Sequence, residues 1–141
     1  VDIHLRAEAL RTGLPVTGLE TSEDQIRMLA SFPETGRLAF LRTTLATFDQ
    51  ASTELPQLSE AWAAGNIEGI AALSLEPMEA RSPTVYETLI VERNRRWALQ
   101  IARMLDQPGA TFVAVGVLHL AGADSVRNLL SQAGFASVRI Q

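Results

Sequence analysis

Apolar residues recur along this chain at two periods, and the change from one to the other marks the predicted elements. Helical spacing runs from Asp2 through Leu5, Ala9 and Leu10 and stops at Gly13. Pro15 to Glu20 reads as a short strand. Ser22 then caps a helix, with Gln25 three residues on as its capping-box partner and Ile26, Leu29, Ala30 and Phe32 as its apolar face. The stripe resumes after Pro33 with Leu38, Leu41, Leu45 and Phe48. A further helical stretch spans Leu55 to Leu73 with a break near Gly65-Asn66, and Pro77 and Pro83 bracket a turn. The longest helical pattern runs from Thr84 to Leu105 and meets a strong stop at Asp106-Gln107-Pro108-Gly109. Thr111 to Gly116 is an almost unbroken apolar run with β-branched residues, the signature of a buried parallel strand. Asp124 is the expected N-cap of a last helix, which turns Val126, Leu129 and Leu130 inward and ends at Gly134. Ser137 to Ile140 reads as a final strand.

The order is therefore α-β, a helical middle, then β-α-β. The expected fold class is α/β: a small, mostly parallel sheet of about three strands, with a large helical section. The whole chain, 1–141, reads as one domain, and 22–82 as a helical subdomain or cap inserted between strands. Three strands are few for such a domain, so the sheet is expected to be incomplete. A sheet lacking strands presents an unpaired edge, which a second copy of the chain can cover, and a homodimer is expected on that ground.

With 141 residues, 47% apolar and 20% charged, the chain can bury a core and is not disordered by composition. A net charge of −4 argues against nucleic-acid binding, which rewards a basic surface. The absence of cysteine excludes disulfides, thiolate nucleophiles and Cys-ligated zinc. No run approaches the roughly 20 apolar residues of a membrane span, so no membrane insertion is expected. The chain opens on Val1, not Met, so a targeting segment can lie upstream.

Two clusters interrupt otherwise apolar elements. The first is His119, which closes Gly116-Val117-Leu118-His119 beyond the expected strand, where open parallel sheets bind ligands. Gly116 and Gly122 are read as letting the backbone turn tightly and come near a ligand or cofactor. His119 there can ligate a metal or move a proton; the alternative is a histidine that caps a strand end. The second cluster is Glu92-Arg93-Asn94. Helical phasing puts Tyr86, Ile90, Trp97, Ile101 and Met104 on one face, with Arg93 and Asn94 inside it and Arg95, Arg96 and Arg103 outside. Arg93 and Asn94 must then either hold a buried network or line a cavity. Glu92 lies toward the outer side, where pairing with Arg96 is the simplest reading. Glu20 either points toward His119 or caps the next helix. His4 is expected to pair with Glu8, and Trp62 and Trp97 to anchor the core.

Val91 to Ala98, Phe112 to Gly122, Leu129-Leu130 and Gly134-Phe135 together resemble the C-terminal half of the TraB/GumN family. Gly18 to Thr21 with Gln25, and Ala61 to Asn66, are similar to bacterial GumN-like members. The specific feature is a Glu-Arg-Asn triplet followed some two dozen residues later by Gly-x-x-His. The resemblance implies a metal-dependent hydrolase of the peptidase kind, with a peptide or protein substrate and an extracytoplasmic location. It implies catalytic roles for Glu92, Arg93, Asn94 and His119, with His119 as a metal ligand. Family members carry two Gly-x-x-His motifs, and this chain has one. On that reading it holds half of a site, binds no metal tightly alone, and takes a divalent ion only in a longer protein. The alternative implied function is a non-catalytic binding or assembly module of a bacterial envelope or polysaccharide-related system.

Overall fold

The computed structural model describes residues 2–48 and 51–140, and Val1 lies outside them. Helices α1 (Asp2–Arg11), α2 (Ser22–Ser31), α3 (Glu34–Phe48) and α4 (Ala51–Ala63) come first. Then follow α5 (Ile67–Ile70), a π-helical turn (Ala71–Leu75) and α6 (Glu76–Arg81) as one continuous rod. A second rod joins α7 (Pro83–Tyr86), a π-helical turn (Glu87–Val91) and α8 (Glu92–Leu105). A 3-10 turn (Val117–His119) and α9 (Val126–Gln132) complete the described elements.

Local chemistry accounts for the joints. Thr21, one residue earlier than expected, caps α2: its hydroxyl accepts from the Asp24 amide at 3.1 Å, and the Asp24 carboxylate accepts from the Thr21 amide at 2.9 Å. Gly13 and Gly134 sit at positive φ just past α1 and α9, as glycines that end helices do. Asn66 caps α5 through the Gly69 amide, 2.9 Å away. Pro83 opens α7, where its missing N–H costs nothing. At α9 the cap is Ser125, which accepts from the Asn128 amide, and not Asp124.

The α/β expectation fails: among the described residues there is no strand. The three expected strands are neither helical nor paired. Thr111 to Gly116 keeps the two-residue alternation of an extended chain, with Val113 and Val115 half-buried and Phe112 and Ala114 exposed. Yet no backbone–backbone hydrogen bond joins 111–115 to another described residue. The same holds for 15–20 and 136–140, and Val138 and Ile140 are almost wholly exposed. A strand exists only through its neighbour's hydrogen bonds, and the described residues place none beside these runs. The expected crossover of β-α-β handedness has no ladder to act on.

Two apolar clusters make the core. One packs Ile70, Ala71 and Leu75 of the first rod against Tyr86, Ile90 and Val91 of the second, with Ala121 between. The other joins Trp97, Ala98 and Ile101 of α8 to Val126 of α9, with Leu19, Val113 and Val115 laid on it. Helices α1 to α4 stand largely outside both: Ile26, Leu41, Leu45, Phe48 and Trp62 are exposed. Trp62 is thus no core anchor. Phe32, buried, stacks on Phe40 at 6.3 Å between ring centroids. Replacing Ile70, 1% exposed, by Ala is expected to cost about 2–5 kcal/mol. Trp62→Ala should stay within about 0.5 kcal/mol. Urea unfolding of the two variants checks the ranking.

Candidate functional site

Helix α8 carries the site, and its phase explains why. Ile90, Asn94, Trp97 and Ile101 follow one another at spacings of three and four, so the polar Asn94 falls inside the apolar stripe. The π-helical turn just before α8 belongs to the same rod, and such turns are over-represented at functional positions. Asn94 is fully buried. Its Nδ2 donates to the carbonyl of Asp124 at 2.8 Å, and its Oδ1 lies 2.7 Å from Nδ1 of His119. A backbone carbonyl only accepts, so the amide group must face Asp124 and the amide oxygen must face the imidazole. That orientation makes His119 Nδ1 the protonated nitrogen and leaves the lone pair on Nε2.

His119 ends the 3-10 turn, its own amide donating to Gly116 O at 2.9 Å. The ring is buried and packs on Trp97, 4.4 Å between centroids. Burial and, after it, the Arg93 charge push the imidazole pKa down to about 4. His119 is therefore neutral at pH 7.

Arg93 also lies over the Trp97 ring, its guanidinium 4.7 Å from the ring centre. Nε donates to both oxygens of Glu20 at 3.0 and 3.1 Å, Nη2 stands 3.0 Å from the same carboxylate, and Nη1 donates to Leu89 O at 3.3 Å. Glu20 is nearly buried and has a second partner in Arg96 at 3.4 Å. Gln100 Nε2 adds a bond to Leu19 O at 3.0 Å. Three side chains of α8 thus hold the 19–20 segment in place. Glu20 was expected to point toward His119 or to cap the next helix; Thr21 is the cap, and the Glu20 carboxylate is held in the ion pair with Arg93. Across the domain, Tyr86 O–H donates to Asp124 Oδ2 at 3.0 Å, and burial with this carboxylate raises the phenol far above its usual range.

The structure thus brings His119, Asn94, Arg93 and Glu20 into one neighbourhood around Trp97. Glu92 stays outside it, exposed, bordering a cavity of about 410 Å³ with Arg96 and Gln100. Its expected pairing with Arg96 is replaced by the Arg96–Glu20 contact. His4 is exposed, and Glu8 pairs with Arg11 in its place. Gly116 has φ −60° and room for a Cβ, so no glycine is required there; it borders a cavity of about 380 Å³. Gly122 is different: φ is +76°, and a Cβ would lie 3.2 Å from Leu75. Sequence reasoning missed Asp124 as a double acceptor, for Tyr86 and Asn94. The chemistry of one buried amide on an apolar stripe, needing two partners, was its only signal. Among the described residues no group of three or more His, Cys, Asp or Glu could hold a metal ion. His119 offers one lone pair, and Glu20 is engaged by two arginines.

Arg93→Ala would leave Glu20 buried with only its weaker partner, so a loss of roughly 3 kcal/mol is expected, the low end for a broken buried pair. Arg95→Ala, which breaks an exposed pair with Glu87, should stay within about 0.5 kcal/mol. Equal thermal midpoints for the two would refute the assigned burial. The depressed His119 pKa makes a second prediction. Between 6.5, the ordinary value, and about 4 the unfolded chain binds a proton at this position that the folded chain excludes. The His119 contribution to stability is complete above about 6.5 and is lost as pH falls through 4. Thermal midpoints of the wild type should fall more steeply over this window than those of His119→Leu.

Comparison with known proteins gives this site a family. The model of the TraB/PrgY/gumN family matches residues 1–139. The uncharacterized protein YbaP of Escherichia coli (strain K12) is 31% identical over 137 residues, and that of Shigella flexneri likewise. Each match covers 92% of this chain and 47% of the relative, so the chain spans about half the length of the curated relatives it matches. No solved structure matches significantly. The match across nearly every residue shows that the chain belongs to the TraB/PrgY/gumN family.

Proposed function

We propose that the chain is the histidine-bearing part of a hydrolase that cleaves peptide or protein substrates outside the cytoplasm. The observation that supports this reading is the His119–Asn94–Asp124 relay. A buried amide holds the imidazole in one tautomer and one orientation, with Nε2 left as a lone-pair donor. Such fixing is what a metal-ligating histidine needs. A base with a pKa of about 4 takes a proton poorly at pH 7, so the lone pair is better suited to coordination than to general-base work.

These residues do not make a metal site by themselves. A catalytic zinc-type site needs about three protein donors and an open position; the neighbourhood supplies one imidazole, and its carboxylate is already held by two arginines. The remaining donors belong to the proposal as residues outside this chain, and no chemical step is derived through the ion. What the chain itself does is hold the imidazole neutral and oriented. Arg93 positions the wall of the site through Trp97 and Glu20.

A second reading, a non-catalytic binding or assembly module, draws support from the Arg93 contacts: the guanidinium is engaged inside the molecule at Glu20 and Leu89. The two readings differ in what a family-length protein does. Joined to the half of the E. coli relative that it leaves unmatched, the chain should bind zinc, manganese or cobalt by calorimetry and hydrolyse peptides. His119→Ala should abolish both, and Asn94→Leu should weaken metal binding by about 10–100-fold. Intact E. coli YbaP, altered at its aligned residues, provides the same readout without a junction. Peptide hydrolysis and metal binding indifferent to the histidine would overturn the hydrolase reading in favour of the module.

A further inference from the structure

The buried stripe of the second rod carries another polar group besides Asn94. Tyr86, Ile90 and Asn94 succeed one another at spacings of four, and all three are buried. The Tyr86 ring belongs to the apolar cluster of Ile70, Leu75 and Ile90, where the ring of a phenylalanine would pack as well. What tyrosine adds is a hydroxyl, which is costly to bury unless it is bonded. That hydroxyl donates to Asp124 Oδ2 at 3.0 Å, while Asn94 Nδ2, further along the same stripe, donates to the Asp124 carbonyl at 2.8 Å. One residue is thus held twice from one rod, by its side chain and by its backbone. Ser125 caps α9, so the Asp124 carboxylate has no duty at the helix end.

The stretch from His119 to Asp124 is closely fixed along its length. The Leu120 amide closes the 3-10 turn on Val117 O at 2.9 Å. Ala121 is 1% exposed and sits in the cluster between the two rods. Gly122 turns at φ +76° with Leu75 against it, and Asn128 Nδ2 donates to the carbonyls of Gly122 and Ala123 at 3.1 and 3.2 Å. Asp124 is therefore the far end of a short, stiff arm that has His119 at its near end. The Asn94 amide bonds both ends. Turned over, it would set its oxygen against the Asp124 carbonyl oxygen and its NH2 toward His119 Nδ1. Nδ1 would then have to accept, and the imidazole proton would move to Nε2. The carbonyl opposes this only while residue 124 stays in place.

We propose that Tyr86 and Asp124 are positioning residues for His119: the phenol anchors residue 124, its carbonyl orients the Asn94 amide, and the amide oxygen keeps the imidazole proton on Nδ1. The phenol suits the task, because burial beside a carboxylate keeps it protonated and donating. The inference deepens the reading of His119 as the working group of this site and rests on that reading for its purpose. Its measurement uses neither metal nor substrate, so it can fail where the hydrolase reading holds and hold where that reading fails.

Nitrogen-15 NMR of the imidazoles in the 141-residue chain tests it, because protonated and lone-pair ring nitrogens resonate far apart. The wild type should show His119 as Nδ1–H with Nε2 bare, and exposed His4 as the averaged reference. Tyr86→Phe keeps the ring and removes the hydroxyl. It should raise the share of Nε2–H over Nδ1–H by about fivefold, the worth of one ordinary hydrogen bond, and draw the two nitrogen shifts together. Asp124→Ala should do the same. Asp124→Asn should keep the wild-type spectrum, since its amide oxygen accepts from Tyr86 as the carboxylate does. A structural role alone would lower the thermal midpoint of Tyr86→Phe and leave the ring nitrogens where they were, and that outcome overturns the proposal. A change in all three variants overturns it too, because the charge of Asp124 and not its bond would then be the cause. So does a wild-type His119 that averages both tautomers, since Tyr86 would have nothing to hold.

Discussion

Asn94 is an amide that has lost all contact with solvent and must find partners for both ends of its side chain within the fold. It finds them 25 and 30 residues further on, in the His119 ring and the Asp124 carbonyl. Each would be costly to lose, because the group left behind is buried. The requirement ties α8 to the 3-10 turn and to the loop between that turn and α9. Trp97, one turn further on, fills the space beneath the imidazole. Arg93, one residue before Asn94, reaches Glu20. One turn of helix therefore gathers Glu20 and the 119–124 stretch around a single aromatic ring.

That arrangement was legible in part. The helical phase of 86–104 placed Arg93 and Asn94 on the buried stripe and Arg95 and Arg96 off it, and the burial pattern agrees. The long helix stops at Leu105, before the Asp-Gln-Pro-Gly signal, because Pro and Gly act locally. The partners were not legible. Nothing local in Glu20 says whether it caps a helix or points toward His119, and its ion pair with Arg93 is decided by tertiary packing. The N-caps slipped by one residue at both Thr21 and Ser125, each adjacent to another competent capping residue, Ser22 or Asp124. At Asp124 the side chain was claimed instead by Tyr86.

The sheet was misread for a different reason. Hydrophobic periodicity reports which residues face apolar surface, and it reported this correctly for Val113 and Val115, which rest on α8 and α9. It carries no information about hydrogen-bonded neighbours. A β-branched, alternating run looks the same whether a ladder lies beside it or not. Helices close their hydrogen bonds within the segment, so they form wherever their pattern occurs; strands close them outside it. Among the described residues the helical patterns form helices and the alternating runs stay unpaired.

The same asymmetry bears on the chemistry. A site built on helices and their caps, as the His119–Asn94–Asp124 relay is, has supports that are local or lie in the helical layer. His119 comes only three residues after Gly116, where the unpaired 111–115 run gives way to the 3-10 turn. The imidazole therefore takes its position from that turn, from Asn94 and from Trp97, and owes nothing to the pairing of the run before it.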